Sequence, residues 1–202
     1  MSDLFAERGT VVRPFSSALA DVIEALRDAG IRYALVGGVA AGKRGEARAT
    51  RDIDIVVASS RGVVSALRPI TQKVLPFSPI GHGDRMAKFI HDETGIEIDV
   101  LVLRSAAGRS ALDDATPARI GRDLQAPVAP AEALVCLKLT AAVSPDREPR
   151  KRRLDEADVL AILSRQGERF DHRDLRALVA DLPAPLRARV RRKLDELLEE
   201  LP

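Results

Sequence analysis

The residues of this chain whose types and spacing could do chemistry begin with Gly37-Gly38 and, a helix-sized gap later, Arg48-Ala49-Thr50-Arg51-Asp52-Ile53-Asp54. Two adjacent glycines let a chain turn steeply and let main-chain N–H groups approach a ligand with no Cβ in the way. The run before them, residues 31–36, is short and mostly apolar and predicts a buried strand. A helical turn over 38–42 would then offer free N–H groups and the positive end of its dipole, a setting that favours an anion. Residues 52–57 alternate: Ile53, Ile55 and Val57 take one face of a predicted strand, Asp52 and Asp54 the other. Two acids on one strand face can clasp one hard cation. A phosphate-sized turn joined to a carboxylate pair suggests metal-dependent chemistry on a nucleoside triphosphate.

A hairpin can deliver a third carboxylate. Residues 86–91 and 96–102 are strand-like runs joined by Asp92-Glu93-Thr94-Gly95, a turn-like sequence. In the return strand Glu97, Asp99 and Leu101 share a face. Asp99 is flanked by apolar residues, while Glu97 lies near the turn and is expected to be solvated. A buried carboxylate needs a partner. At ~4 Å two like charges repel by roughly 4 kcal/mol at an effective dielectric of ~20, so three clustered acids imply a bound cation or a raised pKa. Magnesium, or manganese in its place, is the expected solution.

Gly37-x4-Gly42-Lys43 also copies the glycine and lysine spacing of a P-loop behind a strand. A P-loop needs Ser or Thr after its lysine, and this chain has Arg44. It also needs a sustained helix there, whereas Gly45 and the next strand follow within a few residues. The acids are the better metal site.

These residues resemble the DNA-polymerase-β-like nucleotidyltransferases, whose core carries a Gly-Gly or Gly-Ser turn, an Asp-x-Asp strand and a third acid on a neighbouring strand. The spelling Gly-Gly…Arg-x-Thr-x-Asp-Ile-Asp-Ile looks most like the small bacterial branch of abortive-infection-type toxin nucleotidyltransferases. The resemblance covers residues 31–103 well and extends weakly through 134–139 and 153–158, which look like that branch's helical Lys and Asp-x-x-Asp elements. It implies an α/β (α+β) fold with a mixed sheet and flanking helices, followed by a helical C-terminal half. It implies that Asp52 and Asp54 bind catalytic metal, that Asp99 joins them and activates an acceptor hydroxyl, and that Gly37 and Gly38 hold the triphosphate. Arg48, Thr50 and Lys138 are further candidates for nucleotide binding. The implied acceptor is an RNA 3′ end, a protein hydroxyl or a small molecule, and a toxin would have a cognate antitoxin as partner. Gly38 stands where many relatives carry serine, which removes one hydroxyl from the phosphate site.

Composition agrees with this reading. The 202 residues are 46% hydrophobic and 31% charged, as in an ordinary globular protein. A single cysteine, Cys136, rules out an internal disulfide frame, and an apolar helix around it reads it as a small buried hydrophobe. No leader or run of ~18 apolar residues is evident, so a cytoplasmic enzyme without membrane association is expected. Aromatic residues make up 3% of the chain and leave little for base stacking.

The elements that must position these groups are a helix over 14–28 stopped by Gly30, the strand–turn–strand core, a short helix over 60–67, and a Pro/Gly-punctuated connection over 68–83. After the hairpin, 106–128 is polar, broken by Pro117 and Pro127, and reads as a link from a core of residues 1–128 to a helical region of 129–202 that closes the cleft. There, helices are expected over 130–143, 154–163, 171–182 (capped by Asp171) and 184–201. Lys138 has apolar neighbours and either reaches solvent or meets an anion. The basic run 150–153 reads as a solvated loop or a clamp on phosphate. Asp155 and Asp158 could pair with those arginines or with Lys138. Arg48 is expected near phosphate and Thr50 on the backbone at the strand entry, while His82 (on a loop) and His91 (on a strand) are expected to be ordinary.

Overall fold

The computed structural model describes residues 8–59, 61–71, 76–121 and 124–201. Ser60, and residues 72–75 and 122–123 of the expected connections, lie outside them. Helix α1 (Arg8–Asp28) turns at Gly30 into strand β1 (Tyr33–Leu35), and α2 (Gly37–Arg44) and β2 (Asp52–Val57) follow. Then come α3 (Val63–Thr71), β3 (Phe77–His82), β4 (Met86–His91), β5 (Glu97–Leu101), α4 (Ala106–Asp113), β6 (Thr116–Ile120) and β7 (Leu124–Val128). The chain continues in α5 (Ala131–Ala142), α6 (Pro149–Gln166), a 3₁₀ turn (Gly167–Arg169), α7 (His172–Ala180) and α8 (Ala184–Glu199).

The seven strands form one mixed sheet in the order β3-β4-β5-β2-β1-β7-β6. Its centre is where the acids lie. β2 and β5 run parallel, and their register sets Asp54 directly opposite Asp99 and Asp52 opposite Glu97. The alternate residues Ile53, Ile55, Ile98 and Val100 fill the core on the other face. Opposed pairs on one face approach within about 5 Å at Cβ, so register alone brings the acids into mutual electrostatic range.

Three expectations about elements are corrected. Residues 68–83 are not only a connection: α3 runs on to Thr71 and β3 pairs antiparallel with β4 through a bulge between Pro79 and Gly81. His82 therefore ends a strand rather than sitting on a loop. Residues 106–128 are not a link but α4 and the β6–β7 hairpin, with Pro117 opposite Pro127 and β7 joining β1 in parallel. Pro117 is tolerated because β6 is an edge strand, and Pro127 because β7 meets β1 only at Val128, opposite Leu35. The basic run 150–153 is not a loop, since α6 opens at Pro149, the position where proline suits a helix start.

Helix α5 is apolar all round and lies in the middle of the helical layer, packed against α2, α4, α6, α7 and α8. Cys136 is fully buried in it, and burial pushes its thiol up to about 12, so it acts as a small hydrophobe. On α6 the buried positions are Asp155, Asp158, Val159, Ile162 and Leu163. That is the spacing of an apolar helix face, with aspartates at its first two places. Asp171 caps α7 by accepting the N–H groups of Arg173 and Asp174 at 2.9 and 3.0 Å. His91, wholly buried, ties α1 to β4 through Asp21 at 2.9 Å and bonds Thr94 in the following turn, a structural part as expected. Among the described residues no helix is long and apolar enough to cross a membrane.

Candidate active site

A cavity of about 1140 Å³ opens between the β2–β5 face and helices α5 and α6. All eight residues singled out in the sequence line it: Gly37, Gly38, Arg48, Thr50, Asp52, Asp54, Asp99 and Lys138. Lys43 is exposed and does not line it, which leaves the P-loop pattern without a role in this cavity.

Gly37 begins α2 with φ +61°. A Cβ there would lie 1.8 Å from Asp54 Oδ2, so the position needs glycine twice over: for the left-handed backbone and for the carboxylate packed on it. The N–H of Gly38 then donates to Asp54. A Cβ on Gly38 would meet Thr50 Oγ1 at 2.6 Å, so the space beside this glycine is held by a protein side chain and not only by open cavity. Gly37→Ala is therefore expected to cost about 1–3 kcal/mol from backbone strain, with more from the displaced Asp54. Nucleotide binding should be lost with it. Thermal melts and nucleotide titration of Gly37→Ala beside Lys43→Ala, which should match the wild type, check this.

Asp54 carries the largest electrostatic burden. Desolvation, then the charges of Asp52 and Asp99, push its carboxyl up to about 6, against the lowering influence of Lys138 and the Gly38 N–H. Asp52 accepts a hydrogen bond from Thr50 Oγ1 at 2.7 Å. Thr50 was expected on the backbone; its short bond is to the carboxylate and only a long one, 3.4 Å, reaches the Asp52 carbonyl.

Asp99 has a partner that the sequence reading missed. Lys88 Nζ lies 2.8 Å from each Asp99 oxygen. Burial disfavours the Lys88 ammonium, but the bonds and charge of Asp99, with Glu97 and Asp54 behind it, outweigh burial and hold its pKa above the usual value. The signal was legible: a hairpin turning at 92–95 pairs Lys88 with Asp99.

On the helical side, Arg48 Nε and Nη2 donate to Asp158 Oδ1 and Oδ2 at 2.6 and 2.8 Å. Lys138 Nζ is 2.6 Å from Asp158 and 3.0 Å from Asp155, and Arg147 Nε donates to Asp155 at 2.8 Å. Lys138, Asp155 and Asp158 are buried. Burial alone would raise the Asp158 carboxyl, yet the bonds from Arg48 and Lys138 hold it below the usual carboxylate range. The anions that Lys138 reaches are thus Asp155 and Asp158, and Arg48 is committed to Asp158. Three cations, Arg48, Lys138 and Arg147, against two carboxylates leave one positive charge over beside the acids. Of the basic run, Arg150 and Lys151 line the cavity, whereas Arg152 donates to the Ser144 carbonyl and Arg153 is exposed and does not line it.

Asp52 and Asp54 suit a hard cation by donor chemistry, by the burial of Asp54 and by their mutual repulsion on one strand face. Asp99 suits one only in competition with Lys88. Among the described residues, no three acid, histidine or cysteine side chains are drawn together into a ready metal cluster.

The mixed seven-stranded sheet with its flanking helices is a nucleotidyltransferase-type fold. Two solved structures of the antibiotic-resistance factor ANT(2'')-Ia are similar to it. The solution structure aligns over 96% of this chain and 97% of its own at 15% identity with a TM-score of 0.52. The crystal structure in complex with adenylyl-2''-tobramycin aligns over 88% and 97% at 16% identity with a TM-score of 0.54. An antigenic nucleotidyltransferase-like protein from Paracoccidioides brasiliensis aligns over 86% of this chain and 91% of its own at 16% identity, TM-score 0.48. At such identities the likeness is one of fold. No family model matches the chain, and no curated protein matches it.

Proposed function

We propose that this chain transfers a nucleoside monophosphate from an NTP to an acceptor hydroxyl, with Mg2+ or Mn2+ as cofactor and pyrophosphate as the leaving group. The observation that carries it is the β2–β5 register: Asp54 faces Asp99, Asp52 shares their side, and the Gly37–Gly38 turn borders the same cavity. Asp52 and Asp54 would hold the cation, with Asp99 as the further ligand. A divalent cation bound there supplies charge neutralisation to the triphosphate and to the attacking and leaving oxygens. The N-terminal N–H groups of α2 other than that of Gly38, which Asp54 accepts, would donate to phosphate oxygens. Asp99 accepts the proton of the acceptor hydroxyl, and the surplus charge of the Arg48–Lys138–Arg147 cluster meets charge developing on phosphate. Helices α5 and α6, in the 129–202 region, close the cavity over the sheet and exclude water.

The acceptor is an RNA 3′ end or a protein hydroxyl. Arg51, Arg150 and Lys151 line the cavity and have no ion-pair partner among the described residues, beside the carboxylates Asp52, Asp54, Glu97 and Glu148. The adjacent cations Arg150 and Lys151, both on α6, support an acceptor with anionic groups. The sequence resemblance alone supports a place in the abortive-infection-type toxin branch, with an antitoxin as partner and the cytoplasm as location.

Incubation with each α-labelled NTP, Mg2+, total RNA and cell protein tests the reading: label should enter one acceptor fraction with stoichiometric pyrophosphate, and Asp52→Asn should abolish it. Nucleotide binding with no label in any fraction and no pyrophosphate would instead support a nucleotide- or RNA-binding regulator that keeps the fold, a reading that the engagement of Asp99 by Lys88 also favours. Arg150→Ala with Lys151→Ala should weaken transfer to a nucleic acid severalfold and flatten its fall with rising salt, since fewer phosphate contacts remain to be screened. Insensitivity of transfer to both would point to a protein acceptor.

A further inference from the structure

Asp99 lies on the cavity wall with its side chain only 16% exposed, so water alone does not solvate its charge. Its partner is Lys88, placed directly across the β4–β5 ladder, with Nζ 2.8 Å from both oxygens. Across the β2–β5 ladder, on its other side, stands Asp54. Asp99 thus sits between a lysine that satisfies it and Asp54, whose carboxylate repels it. A lysine ammonium and a divalent ion seek the same carboxylate lone pairs, and each repels the other at this range.

We propose that Lys88 is a positioning residue that stands in for the cation at Asp99: it holds the third carboxylate in the nucleotide-free protein and competes with the divalent ion for it. The inference rests on the nucleotidyl-transfer reading. The free protein then binds a divalent ion weakly through Asp52 and Asp54, and Asp99 is recruited only when a nucleotide adds phosphate ligands that outweigh Lys88. Such an arrangement couples cation affinity to nucleotide. It also keeps Asp99 aimed at the cavity when no cation is present, so that the acid which takes the acceptor's proton is preorganised. Lys88 itself is about one-third exposed, so its charge can be withdrawn toward solvent without leaving a buried ammonium unpaired.

The test is Mn2+ titration of the nucleotide-free protein, read by electron paramagnetic resonance of free Mn2+. Lys88→Met should tighten Mn2+ binding roughly tenfold, the size expected for removing a partly screened cation and competitor next to the site. Lys88→Arg, which keeps the charge, should stay within about twofold of the wild type and guards against a misfolded Met variant. Asp99→Asn added to Lys88→Met should return affinity to the wild-type value. Adding a non-hydrolysable NTP analogue should tighten Mn2+ strongly in the wild type and by much less in Lys88→Met. If Lys88→Met binds Mn2+ no more tightly than the wild type while Asp54→Asn abolishes binding, the role of Lys88 is wrong and the transfer reading stands. If Asp54→Asn binds Mn2+ as well as the wild type, the cation placement and the role of Lys88 fall together.

Discussion

Asp54→Asn is expected to abolish nucleotidyl transfer and, in cation-free buffer at pH 7.5, to raise the melting temperature. The two effects have one cause. Desolvation and the charges of Asp52 and Asp99 push the Asp54 carboxyl up to about 6 from 3.8. Because the folded pKa is raised, the native state binds more protons than the unfolded chain between about pH 4 and pH 6, and stability contributed by this group falls as pH rises through that window. At pH 7.5 the ionised Asp54 costs the fold on the order of 2 kcal/mol, taking about 1.4 kcal/mol per pKa unit and discounting for relaxation. The asparagine keeps an oxygen to accept the Gly38 N–H and carries no charge. For a chain of this size the gain corresponds to roughly 4–8 °C. Melts in EDTA at pH 7.5 and pH 4 check it: the variant's advantage should shrink at the lower pH, where the wild-type Asp54 is protonated. With millimolar Mn2+ the order should reverse, since only the wild type gains ligand stabilisation. An Asp54→Asn protein less stable than the wild type at pH 7.5 in EDTA would show that the acid cluster is not strained.

The parts of this site that were legible in the sequence are those set by local rules. Alternation along β2 fixed the shared side of Asp52 and Asp54, and the tight turn after β4 fixed the phase of Asp99. Gly37 was read as a point of close approach, but what approaches it is Asp54, a contact made across chain positions that no local pattern reports. The β6–β7 hairpin is hidden because Pro117 and Pro127, usually breakers, oppose each other where β6 is the sheet edge and β7 meets β1 only at Val128. The exposed, bulged β3 with Pro79 and Gly81 hid in the same way. Helix α6 starts five residues before the expected 154, because residues 149–153, a proline and four basic residues, carry no apolar side chain to mark a helical period. Lys88 lies within reach of the hairpin register, which sets it opposite Asp99, the carboxylate in need of a partner.

The second large effect concerns that buried charge cluster. Lys138→Met should lower stability by about 2–4 kcal/mol and reduce transfer for every acceptor. Lys138 is the one cation that bonds both Asp155 and Asp158, and both acids are buried on the face of α6 that would otherwise be apolar. Removing one partner of a buried ion cluster leaves carboxylate charge without full compensation, which costs about 3–5 kcal/mol when no other cation remains. Here Arg48 still holds Asp158 and Arg147 still holds Asp155, so the loss falls short of that limit. The dependence on those acids gives the check. In a double-mutant cycle, Asp158→Asn on top of Lys138→Met should cost much less than Asp158→Asn alone, because the charge whose burial was uncompensated has gone. Chemical denaturation of the four proteins measures the coupling. Additive losses would mean that Lys138 acts on its own, as a buried stem whose ammonium is satisfied elsewhere. Coupled losses, together with transfer that stays low in the restabilised double variant, would separate the structural part of Lys138 from its part in meeting phosphate charge, since neutralising Asp158 repairs the first and not the second.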